Sequence, residues 1–132
     1  MTLSLDEARD YFGHDRYAVD VTGISIDAVG ENYSKVSLTV QDKHLGAKDH
    51  LMGGVLYTMA DFAFAVATNT PEHFTMTTTS TISYLSQPKD PHITGECKGI
   101  KNGRRTCLFE TRLTDGIGTL LAVVTINGVH ID

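Results

Sequence analysis

From Leu51 to Thr70 the chain carries a single charged side chain, Asp61, in an otherwise largely apolar run. No other stretch restricts the fold as strongly. A membrane-spanning helix needs about 20 consecutive apolar residues, and two glycines, Asp61, Asn69 and several threonines make this run a poor span. It reads instead as a buried core helix from Gly53 to Asn69, about five turns and roughly 25 Å long. A helix that is apolar almost all round has to be enclosed by other elements.

The flanking sequence supplies the enclosure. Ser4-Leu-Asp-Glu7 is a capping box, with the serine capping and the glutamate reaching back, and it opens a short helix that ends near Gly13. From Tyr17 to Val29 apolar residues alternate, with a change of phase across Gly23 that predicts a bulge in one long strand. Gly30-Glu31-Asn32 makes a turn, and Val36, Leu38 and Val40 alternate on a second strand. Gln41 to His50 is a polar loop. After the helix, period two returns: Phe74, Met76, Ile82 and Tyr84 are expected on one face of a strand, and Thr77, Thr79, Thr81 and Ser83 on the other. Further strands follow over about His92–Lys101, Arg104–Thr114 and Gly118–His130, with Asn102-Gly103 as a two-residue hairpin and Asp115-Gly116 marking the next. Helix, two strands, long helix and four strands make an α+β architecture, a curved antiparallel sheet wrapped around one central helix. Its edge strands invite pairing with a second chain.

At 132 residues and 41% hydrophobic, the chain fits one domain over residues 1–132 with one core. A net charge of -5 with no basic run argues against nucleic acid as a partner. Cys97 and Cys107 form no metal or redox motif and read as small buried residues of a reducing compartment. Met1 to Tyr11 lacks a basic start followed by an apolar run, so no signal peptide is expected. The expectation is a soluble cytoplasmic protein without membrane association.

An acid inside an apolar helix costs free energy unless it is paired, and its pKa tends to rise. Asp61 is therefore either salt-bridged, a cap for nearby backbone, or functional; its isolation favours function. Gly53-Gly54, at the start of the same helix, gives either flexibility or bare access to free backbone N–H groups able to polarise a carbonyl. Gly54 and Asp61 lie seven residues apart, on nearly the same face and about 10 Å apart along the axis. One helix struggles to place both within about 3 Å of the reacting atoms. Two antiparallel helices from a dimer can, so a site shared between subunits is expected.

These residues resemble a known family. Met52-Gly-Gly-Val-Leu-Tyr-Thr-Met-Ala-Asp61 and the run onward to Asn69 resemble the helix signature of the phenylacetate-pathway (PaaI-type) hotdog thioesterases. That signature has His-Gly-Gly, an apolar run, and an acid eight positions after the first glycine; here the pair is Gly53 and Asp61. The resemblance implies hydrolysis of acyl-CoA thioesters by a homodimer or dimer of dimers, with CoA as part of the substrate and no cofactor. It implies Asp61 as nucleophile or general base, and Gly54 and Gly53 as backbone donors to the thioester oxygen. Thr77 falls near the position of a serine that orients water in related enzymes. Two departures stand out: Met52 replaces the histidine, with His50 two residues earlier, and Gly46 falls near the place of an upstream asparagine. Met52 also suits the lining of an acyl pocket.

Arg104 and Arg105 are candidates for the CoA phosphates. His44, Asp49 and His50 match no metal spacing, so no metal site is expected. Alternative functions are hydrolysis of acyl-carrier-protein thioesters and non-catalytic binding of acyl-CoA. A hydratase fits less well, because Asp49-His50 is a poor match to the histidine and aspartate its family carries before the helix.

Overall fold

The computed structural model describes residues 2–132. The capping box forms as read: Ser4 accepts from the Glu7 N–H, Glu7 accepts from the Ser4 N–H, and helix α1 runs Leu5–Phe12. Strands β1 (Ser25–Gly30) and β2 (Tyr33–Thr39) follow, then helix α2 (Gly53–Thr68). Strands β3 (Thr75–Tyr84), β4 (His92–Asn102), β5 (Thr106–Asp115) and β6 (Leu120–His130) complete the chain. The six strands form one antiparallel sheet in the order β1-β2-β4-β5-β6-β3, which leaves β1 and β3 as its edges.

The sheet wraps one side of α2. Met59, Phe62, Phe64 and Val66 of the helix meet Val36, Ile93, Phe109, Leu113, Val124 and Ile126 in the core. Phe64 packs edge-on to Phe109 with ring centroids 5.5 Å apart, a geometry favoured by the ring quadrupoles. Gly128 leaves room for that ring, since a Cβ there would stand 2.8 Å from the Phe64 ring. Ser34 of β2 donates to the Ala63 carbonyl at 2.6 Å, anchoring the middle of the helix to the sheet. No helix among the described residues is long and apolar enough to cross a membrane.

Four expectations are corrected. The long strand over Tyr17–Val29 is a π-helix, Arg16–Thr22, followed by the shorter β1. The Asp15 side chain accepts from the Ala18 N–H at its amino end. At the other end Gly23, at φ +86°, lets Gly23 and Ile24 donate to the Val19 and Ala18 carbonyls. A capping aspartate and a left-handed glycine stop outweigh valine alternation. The bulge of β1 lies between Ile26 and Ala28 instead.

Second, α2 is not enclosed all round: Gly54, Tyr57 and Asp61 are exposed along one stripe, because the sheet covers only the opposite side. Third, a bulge in β3 between Thr77 and Thr79 switches faces. Phe74 and Met76 therefore point outward, while Ile82 and Tyr84 turn toward the helix. Fourth, Asn102 is the last residue of β4, paired with Cys107, so the hairpin has three loop residues, Gly103–Arg105. Both cysteines are free and buried.

Candidate active site

Several side chains from distant segments hold the start of α2. Gln87 grips the Leu51 backbone with both ends of its amide: Oε1 accepts the Leu51 N–H at 2.9 Å and Nε2 donates to its carbonyl at 3.3 Å. Tyr84, the last residue of β3, donates its hydroxyl to the Gly53 carbonyl at 3.1 Å. The Tyr84 ring occupies the space of a Gly53 side chain, with a built Cβ only 2.9 Å from it. Buried His44 accepts the Gln41 N–H at Nδ1 and donates from Nε2 to the Thr22 carbonyl. Its own carbonyl accepts the Met52 N–H at 3.0 Å.

These contacts fix where the helix begins and aim its first amides. Neither the Gly53 nor the Gly54 N–H has a hydrogen-bond acceptor among the described residues, as expected for the first turn of a helix. Around Gly54 a side-chain Cβ would meet nothing within 4 Å. The two glycines thus differ: Gly53 is required by packing, whereas Gly54 bares its backbone to open space. Beside it lies a groove of about 290 Å³ lined by Tyr17, Val21, Lys43, Met52, Val55 and Thr58, among others. Tyr17, Val21 and Met52 are each more than half exposed there, an apolar lining that no core contact explains.

Asp61 sits two turns along the same open stripe. Its surface is exposed in the isolated chain, yet the protein packed around the carboxyl already removes part of its hydration. That partial burial, and secondly the like charge of Asp15, raise it above the ordinary carboxylate range. Asp61 has neither a salt bridge nor a side-chain hydrogen bond among the described residues, so pairing and capping do not account for it. On β3, the Ser80 hydroxyl is shut off from solvent and has no partner among the described residues.

The other sequence candidates are scattered. Met52 lines the groove beside Gly54. His50 is exposed in the preceding loop and contributes its carbonyl to the Gly46 N–H. Thr77 is half-buried on the inner side of β3, in register with Gly128. Arg104 and Arg105 lie at the opposite end of α2 from Gly54. There the Arg105 carbonyl accepts the His130 N–H, and His130 contacts Thr75 beside Asn69, the residue that ends the helix. His44 cannot serve a metal as it stands, because both ring nitrogens are engaged with backbone.

Sequence reading missed Asp15, Tyr84 and Gln87 as parts of this site. Asp15 had a usable signal, a capping aspartate before an apolar segment; Tyr84 and Gln87 act across 31 and 36 positions and had none.

Comparison with known proteins agrees with this fold. Residues 48–122, more than half of the chain and including all of α2, match the model of the thioesterase superfamily. A thioesterase from Haemophilus influenzae superposes with a TM-score of 0.88 at 18% identity, covering 100% of this chain and 93% of its own. A hypothetical thioesterase from Streptococcus pneumoniae, solved with coenzyme A, gives 0.82 at 19% identity over 91% of this chain and 96% of that one. PaaI from the Escherichia coli phenylacetic acid degradation operon gives 0.80 at 21% identity, covering 98% and 97%. At these identities the structures establish the shared fold, and the match to the family model establishes the superfamily. The chain belongs to the thioesterase superfamily, a thioester hydrolase with the hotdog fold that its PaaI neighbours share.

Proposed function

We propose that this chain hydrolyses acyl-CoA thioesters, small or medium and aliphatic or aromatic, at a site shared by two subunits. The observation that carries the reading is the open stripe of α2. It presents the free Gly54 N–H and the raised Asp61 carboxyl on one solvent-facing side, about 10 Å apart along the axis. That separation is too long for one thioester carbonyl and its attacking water. An antiparallel α2 from a second subunit brings the Gly54 amide of one chain opposite the Asp61 of the other.

In that arrangement the Gly54 N–H, aided by the helix dipole, holds the thioester oxygen as it becomes negative. Asp61 takes a proton from water as the water oxygen bonds to the carbonyl carbon. The tetrahedral adduct then collapses, the C–S bond breaks, and the departing thiolate receives the proton from Asp61. A carboxyl raised toward neutral pH is a better base for this step than an ordinary one. Tyr17, Val21 and Met52 suit the acyl chain or the pantetheine arm, and Lys43 on the same groove suits an anionic end. The S. pneumoniae relative solved with coenzyme A supports CoA as the carrier. Arg104 and Arg105 would reach such a substrate only from another subunit. The proposed reaction needs no cofactor beyond the CoA of the substrate.

The test is thiol release from a panel of aliphatic and aromatic acyl-CoAs. Asp61→Asn and Asp61→Ala are expected to lose about 10²- to 10⁴-fold in kcat; unchanged turnover in both would remove Asp61 from the mechanism. Turnover of acyl-carrier-protein thioesters alone would replace the carrier, and tight acyl-CoA binding with no turnover would make the chain a binder. Mixing Asp61→Ala chains with Gly54→Val chains is expected to restore one working site per mixed dimer.

A further inference from the structure

The carboxyl end of α2, about 24 Å along the helix from Gly53, holds a cluster that the thioester chemistry does not use. The His73 Nδ1 lies 2.9 Å from the Asp132 carboxylate, and the His130 Nε2 lies 2.8 Å from the Asn102 Oδ1. The Asn102 Nδ2 in turn donates to the Asn32 Oδ1 at 2.8 Å. Each imidazole thus donates its outer N–H to an oxygen, which leaves the His73 Nε2 and the His130 Nδ1 as lone pairs. Those two nitrogens face each other at 3.2 Å. The Thr75 hydroxyl stands 3.1 Å from the first and 2.8 Å from the second, and its single hydrogen can satisfy only one of them.

Three electron-pair donors with nothing but one hydroxyl hydrogen among them form a triangle close to one face of a metal tetrahedron. Ligands held at about 2.0–2.1 Å from a zinc ion stand about 3.3 Å from one another. The outer partners also follow the pattern of metal-binding histidines, whose second N–H is oriented by a carboxylate or an amide oxygen. Surrounding charge favours a cation. Two surface depressions meet at His73, and among the described residues their linings include Asp15, Glu31, Glu72 and Asp132 but no lysine or arginine. The last turn of α2, the negative end of its dipole, lines one of them.

We propose that His73 and His130 bind a divalent transition-metal ion of the zinc type, with the Thr75 hydroxyl at the third corner and water completing the shell. Among the described residues no three His, Cys, Asp or Glu side chains converge on one point, so the site is an open two-histidine one. The bound ion joins the turn before β3 to the end of β6. Its first ligands are imidazoles, which suit zinc, cobalt, nickel and copper rather than magnesium or calcium.

The test uses the untagged full chain, with Zn²⁺ followed by titration calorimetry and Co²⁺ by visible absorption. One ion per chain is expected. Binding is lost in His73→Ala and in His130→Ala, weakened by about 10- to 100-fold in Asp132→Asn, and retained in His92→Ala, a histidine outside the cluster. Because the alanine variants remove half-buried packing and hydrogen bonds, the unaltered chain is also titrated with Zn²⁺ while the histidine ring nitrogens are observed by ¹⁵N NMR. The His73 Nε2 and His130 Nδ1 resonances should move and the other histidines should not. Absence of binding, binding undiminished in both alanine variants, or shifts confined to other histidines would each overturn the proposal. None of these readouts depends on thioester turnover.

Discussion

At the scale of single residues, the pair Asp15 and Asp61 makes the sharpest prediction. Burial first, and the Asp15 charge second, raise the Asp61 carboxyl. It is the ionised form that accepts a proton, so activity should fall as pH falls through that raised value, above the ordinary 3.8. Asp15→Asn removes the repulsion but keeps a capping side chain for Arg16–Thr22. The acid limb of kcat/KM is expected to move to lower pH while staying above the ordinary aspartate value; a limb that does not move would separate Asp15 from the site. Linkage fixes the sign for stability as well. The folded state binds the Asp61 proton more tightly than the unfolded chain, so this residue's contribution declines as pH rises through the raised value. Asp61→Asn is therefore expected to raise the melting temperature at neutral pH while removing turnover. Asp61 was legible because a lone charge in an apolar run is visible without any structure. Asp15 was legible only as a capping aspartate; its closeness to Asp61 is created when the chain folds back against α2.

At the scale of elements, the two helix-start glycines should respond differently. Gly53→Ala places a methyl against the Tyr84 ring and is expected to cost about 1–3 kcal/mol by overpacking. Gly54→Ala meets open space in the subunit, so it should leave the monomer's packing intact and lower kcat by crowding the thioester oxygen. Denaturant unfolding and thiol release on both variants check the contrast; equal effects on both readouts would undo it. Gly23→Ala, at φ +86°, is expected to cost about 1–2 kcal/mol by forcing a side chain into the left-handed region, and a neutral outcome would contradict the cap geometry. The same glycine explains where strand reading failed. Val19 and Val21 carry a period-two signal, but Asp15 and Gly23 bracket them with helix start and stop chemistry, and Val21 is turned out to line the groove rather than a sheet. In β3, one extra residue at Thr78 reverses the facing of Phe74 and Met76, and a bulge leaves no trace in a run of threonines.

At the scale of the whole molecule, the order of elements was readable because hydrophobic period and turn residues are local. The proposed sharing of the site was legible only as a distance, the seven residues between Gly54 and Asp61, and the contacts that hold the helix start were not, since they join residues 31 and 36 positions apart. Among the described residues the outer edge of β3 has no strand partner, and the exposed Met76, Phe74 and Tyr57 lie on surfaces that a second copy would cover in the proposed assembly. Sedimentation is expected to show a dimer or larger assembly whose melting temperature rises with protein concentration. A monomer with full turnover would contradict the shared site. The hydroxyl of Tyr84 adds a mechanical consequence. It ties the end of that edge strand to the carbonyl of the glycine preceding the oxygen-holding amide. Under the proposed shared site, subunit association and ligand capture would act on one joined piece of backbone, and the two equilibria are expected to be coupled. A substrate analogue that tightens the helix start should lower the dimer dissociation constant, and dissociation of the dimer should weaken the binding of the analogue by the same equilibrium factor.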